Sequence, residues 1–252
     1  VGFYKILITL TTFLGLAFAV LQCFGFTNVH VVTEQSNPDG NFPTVVYPNP
    51  EERETMGIGL KNAKEMDADI LLGTDPDSDR VAIGIKNSKG EWVLMNGNQT
   101  AVLAFNYMIE ARKAKGIAQA NDMVIKTIVT TDMIDVIAKQ NSIACYNVLT
   151  GFKWIASMIA AKEGKENYVI GGEESFGMMI GDQVRDKDAV SAVAFLSEMA
   201  AYEKNNNKLI VEIDTEIPEF LIGDKLRLSQ IIMNLVSNAL KFTKEGQVIV
   251  SC

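Results

Sequence analysis

A chain of 252 residues and 27.6 kDa is long enough to bury one large core or two modest ones, and two domains with dissimilar ends are expected. A formal net charge of −8 and a pI near 4.8 exclude nucleic acid or an anionic membrane gripped by a basic surface, so an acidic ligand has to be met by local arginine and lysine. Cys23, Cys145 and Cys252 are scattered, odd in number and without metal-ligand spacing, which implies neither a disulfide framework nor a zinc site and suits a reducing cytoplasm.

From Ile6 to Phe26 no side chain is charged, about the length needed to cross a bilayer. Two readings stand: a membrane-spanning or signal-like segment, or an apolar helix or strand buried in a core, which the threonines, glutamine and glycines of the stretch allow. Residues 1–23 are set apart as an apolar leader, and the membrane is a partner only if residues 6–26 insert. The sole histidine, His30, lies in "NVHVV" and reads as a strand residue rather than a base.

A loop rich in proline and glycine, "EQSNPDGNFPTVVYPNP", leads to a helix predicted over "EERETMGIGLKNAKEMDA", whose early glutamates suit the positive end of a helix dipole. The strand "DILLGT" follows, then an acidic loop, then "RVAIGIKN" and "EWVLMN" as a hairpin turning at Ser88–Gly90. Beyond it, helices at "TAVLAFNYMIEARKAKG", "DMIDVIAKQ", "FKWIASMIAAKEG" and "DAVSAVAFLSEMAAYEK" alternate with strands at "VIKTIVTT", "IACYNVL" and "NYVIGG". This alternation predicts two α/β units, 24–98 and 99–204, with mixed, largely parallel sheets. Ligands of such sheets collect at the loops leaving the strand ends. "NNN" at Asn205–Asn207 reads as a linker into a last segment, 205–252, that stops in an apolar run.

The acidic loop "GTDPDSDR" places Asp75, Asp77 and Asp79 on alternate residues with Arg80 directly behind. Three like charges in one loop repel unless something positive sits among them. Oxygen ligands at i, i+2 and i+4 suit a hard divalent cation, and Mg²⁺ takes a few carboxylates and completes its shell with water and phosphate. An EF-hand is excluded: counting from Asp75, the sixth position is Arg80 instead of glycine and the twelfth is Lys86 instead of glutamate.

"TDPDSDR" resembles the metal-binding loop of the α-D-phosphohexomutases, the phosphoglucomutase and phosphomannomutase family, and "GGEESFG" at Gly171–Gly177 resembles its sugar-binding loop. "EQSNPDGNFPTVVYPNPEE", "TTDMID", "TGFKWI" and "VRDKDAV" follow in family order, so the resemblance covers roughly residues 24–204, the family's second and third domains. It implies Mg²⁺ on Asp75, Asp77 and Asp79, with Arg80 positioning a phosphoryl group. It implies sugar-hydroxyl contacts from Glu173 and Ser175, and Lys153 and Lys187 facing an anionic sugar phosphate. The family also uses a "TASHNP"-like loop whose serine carries the phosphoryl group and a loop that clamps the substrate's own phosphate; neither pattern occurs in these residues. The implied activity is a Mg²⁺-dependent intramolecular phosphotransfer on glucose, mannose or pentose phosphates in the cytoplasm, with this chain alone catalytically incomplete.

From Lys208 onward the sequence resembles the start of a histidine-kinase ATPase domain. On a helix, Asn234, Asn238 and Lys241 of "NLVSNALKFT" share one face suited to nucleotide phosphate and Mg²⁺. The glycine-rich motifs that complete such a site do not follow within the chain. The alternative reading is therefore a composite: a non-catalytic sugar-phosphate-binding module or sensor fused to a kinase ATPase segment.

Overall fold

The computed structural model describes residues 5–9, 14–37, 39–206, 208–212 and 247–251. Strands β1 (Ile6–Thr9), β2 (Val29–Val31), β3 (Ile70–Thr74), β4 (Val81–Lys86) and β5 (Trp92–Leu94) form one sheet in the order β2-β1-β3-β4-β5. β1 runs parallel to both β2 and β3, while β4 and β5 close the other edge antiparallel. Strands β6 (Asp122–Thr127), β7 (Ala144–Val148), β8 (Asn167–Gly172) and β9 (Met178–Ile180) form a second sheet ordered β7-β6-β8-β9, parallel except at β9. The helices are α1 (Leu14–Cys23), α2 (Gly57–Glu65), α3 (Gly97–Ala114), α4 (Met133–Gln140), α5 (Phe152–Lys162) and α6 (Ala189–Asn206). A separate parallel pair joins β10 (Lys208–Glu212) to β11 (Gln247–Ser251).

Strand periodicity explains the layering. Ile6 and Ile8, with Ile70 and Leu72, point into a cluster shared with Val124, Ile170, Phe105 and Leu196, whereas Leu7 and Leu71 point to the opposite face with Met56, Ala63 and Trp92. In the second sheet Met123 and Ile125 face away from the shared cluster toward Phe152, Ile155 and Ile159 of α5. Strands apolar on both faces are what a helix-covered parallel sheet requires. Helices α3 and α6 touch both sheets and lie between them, so one continuous apolar core joins the two α/β units.

The apolar run from Ile6 to Phe26 resolves into a central strand and a helix. β1 is wholly buried between β2 and β3, and Ala17, Leu21 and Phe26 join the shared core, with α1 against α6. Residues set apart as a leader thus supply a central strand, because its backbone groups are taken up by two neighbouring strands. Among the described residues no helix is long and apolar enough to cross a membrane. His30 sits in β2 with Nε2 2.8 Å from Asn28 Oδ1.

Three local expectations are corrected. Helix α2 begins at Gly57, with no acidic residue in its first turn, because residues 49–55 are spent on successive turns and Glu51 pairs with Arg80. Asn205 and Asn206 end α6 instead of opening a linker. β9, unmarked in the sequence, pairs with β8 directly after the "EESFG" loop. Asn234, Asn238 and Lys241 lie outside the described residues.

Candidate functional site

The acidic loop leaves the C-terminal end of β3 and re-enters the sheet at β4. Asp75 is buried, and its Oδ1 accepts the backbone N–H of Asp79 and of Arg80, each at 3.0 Å, which folds the loop back on itself. Ser78 takes a left-handed φ of 56°, a conformation that costs a non-glycine residue about 1 kcal/mol or more. Asp77 is exposed at the tip and Asp79 half-buried.

Positive charge arrives from two sides. Arg80 Nε lies 3.5 Å from Asp75 Oδ2 and 3.6 Å from Asp79 Oδ1, while its Nη1 lies 3.5 Å from Glu51 Oε1. Lys187 Nζ reaches Asp79 Oδ2 at 2.7 Å. Burial pushes the Asp75 carboxyl up to about 7, with the adjoining Asp79 adding to the rise against two backbone N–H groups. Burial also acts to raise Asp79, but the Asp75 carboxyl, Lys187 and Arg80 hold it below the usual carboxylate range. Two cations are thus shared among three carboxylates, Glu51, Asp75 and Asp79.

A divalent cation fits this loop. One oxygen from each of Asp75, Asp77 and Asp79 falls within 4.8 Å of the others, near the roughly 4.2 Å between opposite ligands of Mg²⁺. Asp79 Oδ1 is buried and lacks a hydrogen-bond partner, a deficit that a coordinated cation removes. A cavity of about 480 Å³ opens beside the loop, with Tyr47, Asn49 and Glu52 facing Asp75, Asp77 and Arg80.

The second loop, Glu173 to Gly177, lies against the first. Arg80 and Gly177 form an isolated β-bridge, and Val81 N–H donates to Phe176 O at 3.2 Å. Glu173 is buried, with Oε1 accepting the Gly151 N–H at 2.7 Å; burial raises its pKa, opposed by that N–H, Lys187 and Arg80. Gly177 has no room for a side chain: a β-carbon would stand 3.0 Å from Phe152, 3.1 Å from Lys187 and 3.4 Å from Glu173. Phe176 adopts φ 66°, so each loop holds one left-handed non-glycine residue. The Ser175 side chain is half-buried. The segment 186–189 links both loops, since Ala189 N–H donates to Ser78 O at 2.9 Å and Asp188 N–H to Met178 O at 3.1 Å.

Asp75, Asp79, Arg80, Glu173 and Lys187 therefore meet in one constellation, with Asp77 and Ser175 on the same two loops. Lys187, expected to face substrate, is paired to the acidic loop. Lys153 is exposed, its Nζ 5.4 Å from the Trp154 ring centre. Sequence reading missed Glu51, Gly97, the Gly151 N–H, Thr127, Thr130 and Glu174, all of which hold the loops in place. Gly151, with φ 108° at the start of α5, is the glycine of "TGFK", and Glu51, Thr130 and Glu174 lie inside the quoted motifs; Gly97 and Thr127 carried no local signal.

Fold and site together define an α/β protein in which an acidic loop with the geometry for a divalent cation abuts a glycine-flanked carboxylate loop. Sequence models of "Phosphoglucomutase/phosphomannomutase, alpha/beta/alpha domain II" and "domain III" match residues 12–90 and 96–217 in turn, and the chain belongs to the phosphoglucomutase/phosphomannomutase family. Phosphoglucomutase from Staphylococcus epidermidis is 34% identical over 191 residues, covering 76% of this chain and 34% of the relative. Phosphoglucomutase from Staphylococcus aureus is 34% identical over 189 residues, covering 73% of this chain and 34% of that protein. The chain thus spans about a third of the length of the curated relatives it matches. A Thermus thermophilus phosphomannomutase structure superposes with TM-score 0.61 at 22% identity, covering 80% of this chain and 43% of that one. An Aspergillus fumigatus N-acetylphosphoglucosamine mutase solved with GlcNAc-6P and magnesium gives TM-score 0.51 at 12% identity, covering 80% and 44%. These structural likenesses establish the fold.

Proposed function

We propose that this chain carries the metal and sugar half of a phosphohexomutase active site. Asp75, Asp77 and Asp79 would hold Mg²⁺, which when bound supplies positive charge to a phosphoryl group in transfer. Arg80 and Lys187 set the loop's charge balance and stand beside the position of that group. Glu173 and Ser175 would accept from and donate to ring hydroxyls, on a loop whose glycines allow close approach. Lys153, on the helix that starts at Gly151, would contribute positive potential for an anionic substrate.

The single observation that carries this reading is the direct apposition of the two loops, Arg80 against Gly177 and Lys187 against Asp79. In a phosphohexomutase the reaction moves a phosphoryl group between two hydroxyls of one sugar, so a cation site and a hydroxyl-reading loop have to share a cleft. The phosphoryl-carrying serine and the phosphate clamp would come from parts of the site that these residues do not contain. A cytoplasmic setting is part of this reading, supported by the free thiols of Cys23 and Cys145. The kinase-like reading of residues 208–252 is an expectation from sequence alone, and the proposed sugar-phosphate site does not depend on it.

The test is calorimetric titration of Mg²⁺ and then of glucose 1,6-bisphosphate into the full chain and an Asp77→Ala variant. Asp77 is exposed and outside the core, so the variant is expected to fold normally, lose Mg²⁺ affinity by about tenfold or more, and lose metal-dependent sugar-phosphate binding with it. Equal Mg²⁺ affinity in both proteins refutes the assignment.

A further inference from the structure

The side chain of Glu174, the residue between the two proposed sugar contacts, is directed to the second sheet. Its Oε2 accepts from Thr127 Oγ1 at 2.9 Å and from Thr130 Oγ1 at 3.3 Å, and the two hydroxyls lie 2.7 Å apart. Both threonines are fully buried, 0% and 1% exposed. Two buried hydroxyls facing only each other leave one proton without an acceptor, and the Glu174 oxygen supplies it. The turn bearing them is itself fixed: Lys126 Nζ donates to Thr130 O at 3.0 Å, and Thr131 N–H to Asn98 Oδ1 at 2.9 Å. Asn98 is the second residue of α3, and the first, Gly97, receives the Glu174 backbone carbonyl so closely that a β-carbon would lie 1.7 Å from that oxygen. The start of α3, the turn after β6 and Glu174 thus close a ring around the base of the loop.

We infer that Glu174 is a positioning residue: by fastening the loop to Thr127 and Thr130 it sets the separation and aim of Glu173 and Ser175, and so the recognition of the sugar ring as distinct from its phosphate. The inference rests on the proposed role of the Glu173–Ser175 loop. Residues 173 and 175 lie on either side of the anchored one, so a loop released at 174 loses both contacts together. The phosphate contacts depend on the acidic loop, Arg80 and Lys187, which meet the anchored loop only at its far end, at Phe176 and Gly177, and not at Glu174.

The experiment uses the full chain as wild type, Glu174→Ala, Glu174→Gln and Thr130→Val. Hydrogen exchange is read at the amides of Glu173 and Val81, which donate to Gly177 O and Phe176 O, with Val124 as a core control. Affinities for glucose 1-phosphate and for inorganic phosphate are measured at saturating Mg²⁺. Glu174→Ala is expected to speed exchange at Glu173 and Val81 but not at Val124, and to weaken glucose 1-phosphate about tenfold, the worth of one or two hydrogen bonds, with phosphate affinity unchanged. Glu174→Gln, whose amide oxygen can still accept, restores both readouts, and Thr130→Val gives an intermediate loss. Unaltered exchange in Glu174→Ala, or equal loss of both ligands, overturns the inference while a wild-type preference for glucose 1-phosphate leaves the site assignment standing. A wild type without that preference refutes the site assignment itself, before any variant is compared.

Discussion

Leu21 tests whether the apolar N-terminal run is core. Its side chain is fully buried (0% exposed) in the cluster shared by α1, α6 and both sheets, whereas Leu16 on the same helix is 53% exposed. Leu21→Ala removes three carbons' worth of buried apolar surface, about 2.4 kcal/mol at roughly 0.8 kcal/mol each. The cavity left between α1 and α6 adds about 1 kcal/mol more, for a total near 3.5 kcal/mol and within the usual span of buried Leu→Ala changes. For a chain of this size that lowers the melting temperature by about 7–14 °C. Leu16→Ala should cost about 0.5 kcal/mol or less, since half its surface is already wet and alanine is a good helix former. Urea unfolding of the two variants, followed by circular dichroism at unchanged slope, separates them. A Leu21→Ala loss below about 1 kcal/mol, or equal losses at both positions, would refute the packing of α1 into this core.

Gly97→Ala should displace the Glu174 carbonyl, and with it the loop, weakening glucose 1-phosphate far more than Mg²⁺; parallel calorimetric titrations showing both affinities intact would contradict the close contact at the start of α3. Lys126 is 1% exposed and lies 3.0 Å from Asp135 Oδ2. Burial acts to raise the Asp135 carboxyl, but hydrogen bonds from Asn147 and Lys126 hold it below the usual range. A carboxyl lowered on folding contributes stability present above its unfolded value of 3.8 and lost as pH falls through the folded value. Asp135→Asn should therefore be less stable than wild type at pH 7, with the gap narrowing below about pH 4; urea midpoints at both pH values give the answer, and a constant gap counts against the pair. The purified chain should not interconvert glucose 1-phosphate and glucose 6-phosphate with Mg²⁺ and bisphosphate supplied. It lacks the serine loop, and losing a covalent nucleophile removes about 8 kcal/mol or more of barrier lowering; a coupled assay showing roughly one turnover per second would overturn this.

Much of the site was legible from residue order alone. Carboxylates at Asp75, Asp77 and Asp79 with Arg80 behind them are brought together by local spacing, because the loop's own backbone folds over Asp75. Strand and helix alternation was legible for the same reason: strands buried on both faces need apolar runs, and Ile70–Leu72 and Met123–Ile125 supply them, all fully buried. The apolar run from Ile6 was not, since hydropathy measures transfer out of water and is blind to whether lipid or protein receives the side chain. Only the pairing of β1 with both β2 and β3 decided that. Lys187 reads in sequence as a substrate-facing cation, and the fold sets its Nζ 2.7 Å from Asp79 Oδ2, more than a hundred residues away. The anchoring of Glu174 was likewise closed to sequence, because Gly97, Thr127 and Thr130 become its neighbours only when α3 and β6 pack side by side. A loop's chemistry is local, but the direction in which it points is set by contacts distant in the chain, and those exist only once the shared core has formed.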